Sequence, residues 1–158
     1  SFYLYFEDKE DLLGCIAESW VDVILRKLTE AFRVSDGSYY ESMKLWMSQA
    51  LENDISREVW KVYKRVMEEE DFTRKSKMGA LQFKASPKWR QVIEECYGHM
   101  DQSRYPGLTP EKLAYAVDMG QLAMIQLSMR YVEHYAPLAE LKEAAWHQLT
   151  ILDKGIRE

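Results

Sequence analysis

Apolar side chains recur every three or four positions along this chain and long apolar–polar alternation is missing, so the pattern predicts helices and no strand. Asp8 has the chemistry of an N-cap, with Asp11 three residues on in a capping-box-like position. From there Leu12, Ile16, Trp20, Val23, Lys27 and Ala31 step along one face, with Leu13, Ile24, Leu28 and Phe32 beside them. A helix from about Lys9 to Phe32 is expected, on the order of 36 Å long. The Ser35-Asp36-Gly37-Ser38 cluster should end it.

A second helix is expected from about Tyr39 to Leu51, with Met43, Trp46, Met47 and Ala50 on its apolar side. Asn53-Asp54 breaks the pattern, and Val59, Trp60, Tyr63, Val66 and Met67 mark another helix. Between Asp71 and Ala85 the period is diluted by Gly79 and by Arg74, Lys75 and Lys77. Ser86-Pro87 is a cap followed by proline at the first helical position, opening a helix to about Met100. Ser103 to Leu108, with Pro106-Gly107, reads as a loop. Thr109-Pro110 repeats the start signal for a helix to about Tyr135, and Pro137 opens a last one to about Lys154.

The last two helices differ from the rest. Between Lys112 and Arg130 the only charged side chain is Asp118, and apolar residues surround the helix. One face carries Leu113, Val117, Gly120, Met124 and Leu127; another carries Tyr115, Met119, Leu122, Ile125 and Met129. A helix that is apolar all round must be covered all round. The last helix adds a stripe of Leu141, Ala145, Leu149 and Leu152. The simplest cover is a second copy of the same pair, so a dimeric four-helix interface is expected through Leu113, Val117, Gly120, Met124, Leu127, Leu141, Ala145, Leu149 and Leu152.

A length of 158 residues suits one domain with a real core, and 47% hydrophobic with 30% charged residues is the composition of an ordered globular chain. The net charge of −5 makes the chain as a whole a poor nucleic-acid binder unless a basic surface is local. Cys15 and Cys96 form no C-x-x-C pair and sit in helical patterns, which points to reduced, buried thiols and a cytoplasmic location. No membrane span or signal-peptide pattern is present. His99, His134 and His147 lack ligand spacing, so no metal site and no cofactor are expected. Phosphate loops and Ser or Cys nucleophile motifs are missing too, which argues against an enzyme.

The first dozen residues carry a motif. Ser1, Phe2, Tyr3, Tyr5, Phe6, Lys9 and Leu12 follow, at strict spacing, a small-apolar-Tyr-x-(His/Tyr)-Phe-x-x-Lys-acid-acid-Leu pattern. This resembles the TetR family of bacterial transcription regulators, in which the pattern closes the DNA-recognition helix and opens the next one. The resemblance covers about a dozen positions. It implies that residues 1–7 are a remnant of the helix-turn-helix, whose first two helices precede Ser1, and that residues 8–158 are the effector-binding and dimerisation domain. It also implies an all-α, TetR-like bundle that dimerises through its last two long helices. Operator DNA would be met through Tyr3, Tyr5 and Lys9, with Phe6 packing the reader onto the domain.

An effector pocket is expected among Trp46, Trp60, Tyr63, Met67, Trp89, Tyr97, Met100 and Met119, since large apolar walls with few polar tips suit a drug-sized molecule. Taken singly, each of these residues is better explained by core packing; as a group, some of them are expected to face a cavity. Asp118 is equally a pocket acid or a paired interface acid. The run Lys61, Lys64, Arg65, Arg74, Lys75 and Lys77 reads as a solvated face. The expected function is therefore a ligand-responsive, homodimeric DNA-binding repressor with a small-molecule effector. A helical interaction module without ligand and a helical enzyme are the alternatives.

Overall fold

The helix expected from the first apolar stripe is α1, Lys9–Val34. Its last turns bury Leu25, Leu28, Ala31 and Phe32, the i, i+3, i+6, i+7 positions of one face. The computed structural model of the chain describes residues 9–51, 61, 64, 65, 86–133 and 136–158, with side chains from Asp22 onward. Within them the protein is all-α, with no strand. The helix expected around Trp60 lies outside the described residues apart from Lys61, Lys64 and Arg65, whose backbone is helical.

Two residues with positive φ, Asp36 (52°) and Gly37 (76°), turn the chain after α1. A Cβ at Gly37 would sit 2.6 Å from the backbone nitrogen of Asp101, so both backbone angle and space exclude a side chain there. Asp101 in return donates its N–H to the Gly37 carbonyl at 3.1 Å, which ties the later loop onto this turn.

Helix α2 spans Tyr39–Leu51 and buries Tyr39, Met43, Trp46, Met47 and Leu51. Its first N–H groups have no partner within the helix, and three separate segments supply acceptors. The Tyr105 hydroxyl takes the Tyr39 N–H at 3.0 Å, the Asp153 carboxylate takes that of Tyr40 at 3.3 Å, and Ser38 Oγ takes that of Glu41 at 3.1 Å.

The cap-plus-proline signals hold. α3 is Pro87–Gly98 with Ser86 as N-cap, and α4 is Pro110–Val132 with Thr109 as N-cap, accepting from the Lys112 N–H at 3.2 Å. α4 ends at Val132 with Glu133 as its C-cap, and the expected end at Tyr135 lies outside the described residues. α5, Leu138–Arg157, runs three residues past the expected Lys154. Its extra turn is held by the buried Ile156 and by Arg157 Nε donating to Asp153 at 2.8 Å.

Among the described helices α4 and α5 share the most extensive contact, α2 lies against both, α1 packs on α2 and α3, and α3 packs on α4. At Gly120 three helices meet. An added Cβ would strike the Met43 methyl of α2 and come within 3.1 Å of Tyr39 Oη and 3.8 Å of Leu149 Cδ2 on α5. Beside it Tyr39 donates its hydroxyl to the Ala116 carbonyl at 2.6 Å.

This packing corrects the expected interface. Leu113, Val117, Gly120, Met124, Leu127, Leu141, Ala145 and Leu149 are all buried inside the single chain, and Leu152 is half-buried against the same core. α2 and the opposite helix of the α4–α5 pair cover that face, so it is not surface open to a second copy. The uncovered apolar face of α4 is the other one, Tyr115, Met119 and Leu122, each about half exposed or more.

Candidate functional site

Periodicity decides where each expected pocket residue goes. On α4, Val117, Gly120 and Met124 face the core, and at 100° per residue Met119 falls on the opposite side. It is 53% exposed and leaves the pocket set. Trp46, Trp89 and Met100 are buried in the core. Tyr97 is half-buried at the end of α3 and donates its hydroxyl to the Leu108 carbonyl at 3.0 Å. Trp60, Tyr63 and Met67 lie outside the described residues, as do Tyr3, Tyr5 and the side chain of Lys9.

Two groups in this interior stand apart chemically. Trp89 Nε1 and Gln121 Oε1 are buried with no hydrogen-bond partner. Leaving such a group unpaired costs about 1–3 kcal/mol, and buried polar atoms are otherwise paired. Trp89 sits on the inward stripe of α3 with Ile93 and Cys96, and its backbone N–H is tied to the Ser86 cap. Gln121 sits on α4 in line with Ala114 and Ser128, seven residues to either side. Ser128 is satisfied within the helix by the Met124 carbonyl at 2.8 Å. Gln121 escapes a search for aromatic or thioether walls. The signal that could have found it is an amide on the buried stripe of a helix that otherwise carries apolar or small residues there.

Elsewhere in the described core the polar groups are paired. Asp153 is buried on α5; its Oδ1 accepts from the Tyr105 hydroxyl at 2.5 Å and from the Tyr40 N–H, while Oδ2 takes Arg157 Nε. The Arg157 guanidinium also lies over the Tyr105 ring, 5.1 Å from its centre. Burial, then the Asp153 carboxylate, raises the Tyr105 hydroxyl above its ordinary pKa, so it stays a donor. This cluster fastens the start of α2 to the end of α5 and has no cavity-facing orphan; it is structural.

Burial pushes the Cys96 thiol up to about 12, which makes it a poor nucleophile and a poor ligand. No cluster of His, Cys, Asp or Glu suited to a metal occurs among the described residues. His99 ends α3 as its C-cap, and exposed His147 lies 3.9 Å from Glu143. Asp118 is half-buried on α4. From the basic run, Lys64 pairs with Glu133 at 2.8 Å. No helix among the described residues is long and apolar enough to cross a membrane.

The outer surface of the last two helices forms a second candidate region. Tyr115, Met119 and Leu122 are exposed on α4 at i, i+4 and i+7. On α5 Ala144, Gln148, Ile151 and Gly155 make an exposed strip without charge, and Ile151 is 70% exposed. Contiguous exposed apolar surface marks interaction sites more often than a scattered Leu does. No family model matches this chain, and neither the curated proteins nor the solved structures give a match.

Proposed function

We propose that the protein is a ligand-responsive, DNA-binding transcription regulator of the TetR type, a repressor that acts as a homodimer. The observation that carries this reading is the course of α1. Its first residues, Lys9 to Leu12, are the last positions of the pattern of residues 1–12, and its last turns are buried against α2 and α3. A helix of 26 residues is about 39 Å long. Such a rod converts a small rearrangement at the α2–α3 end into a larger displacement of the DNA-reading end. A ligand does this only in proportion to its preference for one arrangement.

The exposed strips of α4 and α5 support dimerisation through the last two helices, by the outward residues Tyr115, Met119, Leu122 and Ile151 rather than the inward set expected from periodicity. The same strips would serve a pure interaction module, and dependence on a small molecule separates the two. The test uses the full-length protein and a random duplex pool. Selection should recover a two-fold symmetric site with half-sites about one helical turn apart, bound with strong salt dependence. Tyr5→Ala and Lys9→Ala should weaken binding about equally on all sequences, as phosphate contacts do. Recovery of no symmetric site would refute the regulator reading.

A further inference from the structure

We propose that α5 pairs antiparallel with the α5 of a second copy, about a two-fold axis level with His147 and Gln148, and that Glu140, Glu143 and Lys154 fix the register of that contact. The pairing rests on the reading that the chain is a homodimer through the outward face of α4 and α5.

Every position concerned lies on one helix, Leu138–Arg157. Ala144, Gln148, Ile151 and Gly155 are exposed and step by four, three and four, so they fall within about 60° of one another at 3.6 residues per turn. Ile151 is 70% exposed. A Cβ at Gly155 would meet nothing within 4 Å, so no described neighbour accounts for a glycine at a position where it weakens the helix. Glu140, Glu143 and Lys154 are exposed as well, and they lie within about 60° of one another along one edge of this strip. The two acids belong to the first half of the helix and the lysine to the second.

An antiparallel pair related by a two-fold axis sets each edge of the helix beside the same edge of its copy. With the axis midway between His147 and Gln148, positions equally far from it face one another. Ala144 and Ile151 lie on opposite sides of that level, each about 5 Å away at 1.5 Å per residue. Ile151 of either copy therefore lies against Ala144 of the other, large on small, twice by symmetry. Lys154 is about 10 Å from the axis level, and on the other side Glu143 is at about 7 Å and Glu140 at about 11 Å. Each lysine thus comes between two carboxylates of the second copy. Gly155 falls opposite Glu140 and leaves room for that side chain to reach over it. A parallel pair would set Glu140 on Glu140 and Lys154 on Lys154, which is repulsive, and would align the helix macrodipoles. Ion pairs at a solvated edge add little affinity; what they select is orientation and register.

The experiment exchanges the charges in the full-length protein and reads dimer dissociation by sedimentation. Glu140→Lys and Lys154→Glu should each weaken the dimer at least about threefold at low salt, since two symmetric edge pairs turn repulsive. The double variant should return to within about twofold of the wild type, and high salt should shrink both single losses. Mixed together, the two single variants should form heterodimers in preference to either homodimer, because the mixture restores both pairs. A protein that stays dimeric with no rescue in the double variant and no heterodimer preference would overturn this pairing. It would leave the dimeric regulator reading standing, with α5 seated on α4 of the second copy instead. A wild type that is monomeric at micromolar concentration would overturn the pairing and the dimeric reading together.

Discussion

Replacing Asp153 by alanine removes the acceptor that three groups share at the junction of α2, α5 and the loop before α4. The Tyr105 hydroxyl and Arg157 Nε lose charge-assisted hydrogen bonds of 2.5 and 2.8 Å, and the Tyr40 N–H loses its acceptor at the start of α2. A hydrogen bond to a charged group contributes about 1.5–3 kcal/mol, more when a buried donor is then left unpaired. Arg157 is 42% exposed and can turn to water, so its share is small. The Tyr105 bond and the orphaned Tyr40 N–H together give a loss of about 3 kcal/mol. For a domain of this size that is roughly 6–12 °C in Tm. Asp153→Asn, which keeps an acceptor oxygen for Tyr105, should lose about half as much. Thermal and urea unfolding followed by circular dichroism measure both, and a double-mutant cycle with Tyr105→Phe should return a coupling of at least about 1 kcal/mol. A loss under 1 kcal/mol with no coupling to Tyr105 would refute the claim that this carboxylate fastens α2.

Three other outcomes are expected. Gly120→Ala gains about 1 kcal/mol of helix propensity but drives its Cβ into the Met43 methyl in a fully packed junction, where overpacking costs about 1–3 kcal/mol. The variant should therefore unfold at the same or lower urea concentration, and Gly120→Val should be clearly less stable than either. The Cys96 thiol, raised to about 12 from 9.0, keeps its proton in the folded chain after the unfolded chain has begun to lose it. Stability present below pH 9 should thus fall as pH rises toward 12, by up to about 1.4 kcal/mol per unit from this group. Cys96→Ala should flatten the slope of stability against pH between 9 and 10. In a Cys15→Ser background, Cys96 should react with a disulfide reagent at pH 8 only on unfolding.

The helices were legible because caps, prolines and period 3.6 are local signals. Ser86-Pro87 and Thr109-Pro110 open α3 and α4 where the sequence places them, and Ser35 to Ser38 ends α1. Which of two apolar faces of α4 turns inward was not legible. The inward face contains Gly120, and only the close approach of Met43 and Leu149 shows why the small residue belongs on the core side. The outward face has equally large side chains in Tyr115, Met119 and Leu122, so periodicity could not rank the two. Asp153, Tyr105 and Tyr40 are separated by dozens of positions or more, and no spacing rule links them. Arg157 four residues after Asp153 was the one local hint of that cluster. Gln121 was hidden for a different reason: an amide on a helix reads as surface until its burial is known.

The most direct measurement of the central claim links the outward face of α4 to DNA binding. Leu122 is 57% exposed on that face and more than a hundred positions from the recognition pattern. In the full-length protein Leu122→Glu should leave the helical circular dichroism and Tm unchanged, because more than half of the side chain already faces solvent. On the proposed dimeric reading it should leave a monomer in sedimentation and weaken binding to the selected symmetric duplex about a hundredfold or more, since two linked half-site contacts become one. Binding to a single half-site should be unaltered. A variant that remains dimeric and binds the symmetric duplex as tightly as the wild type would contradict the account.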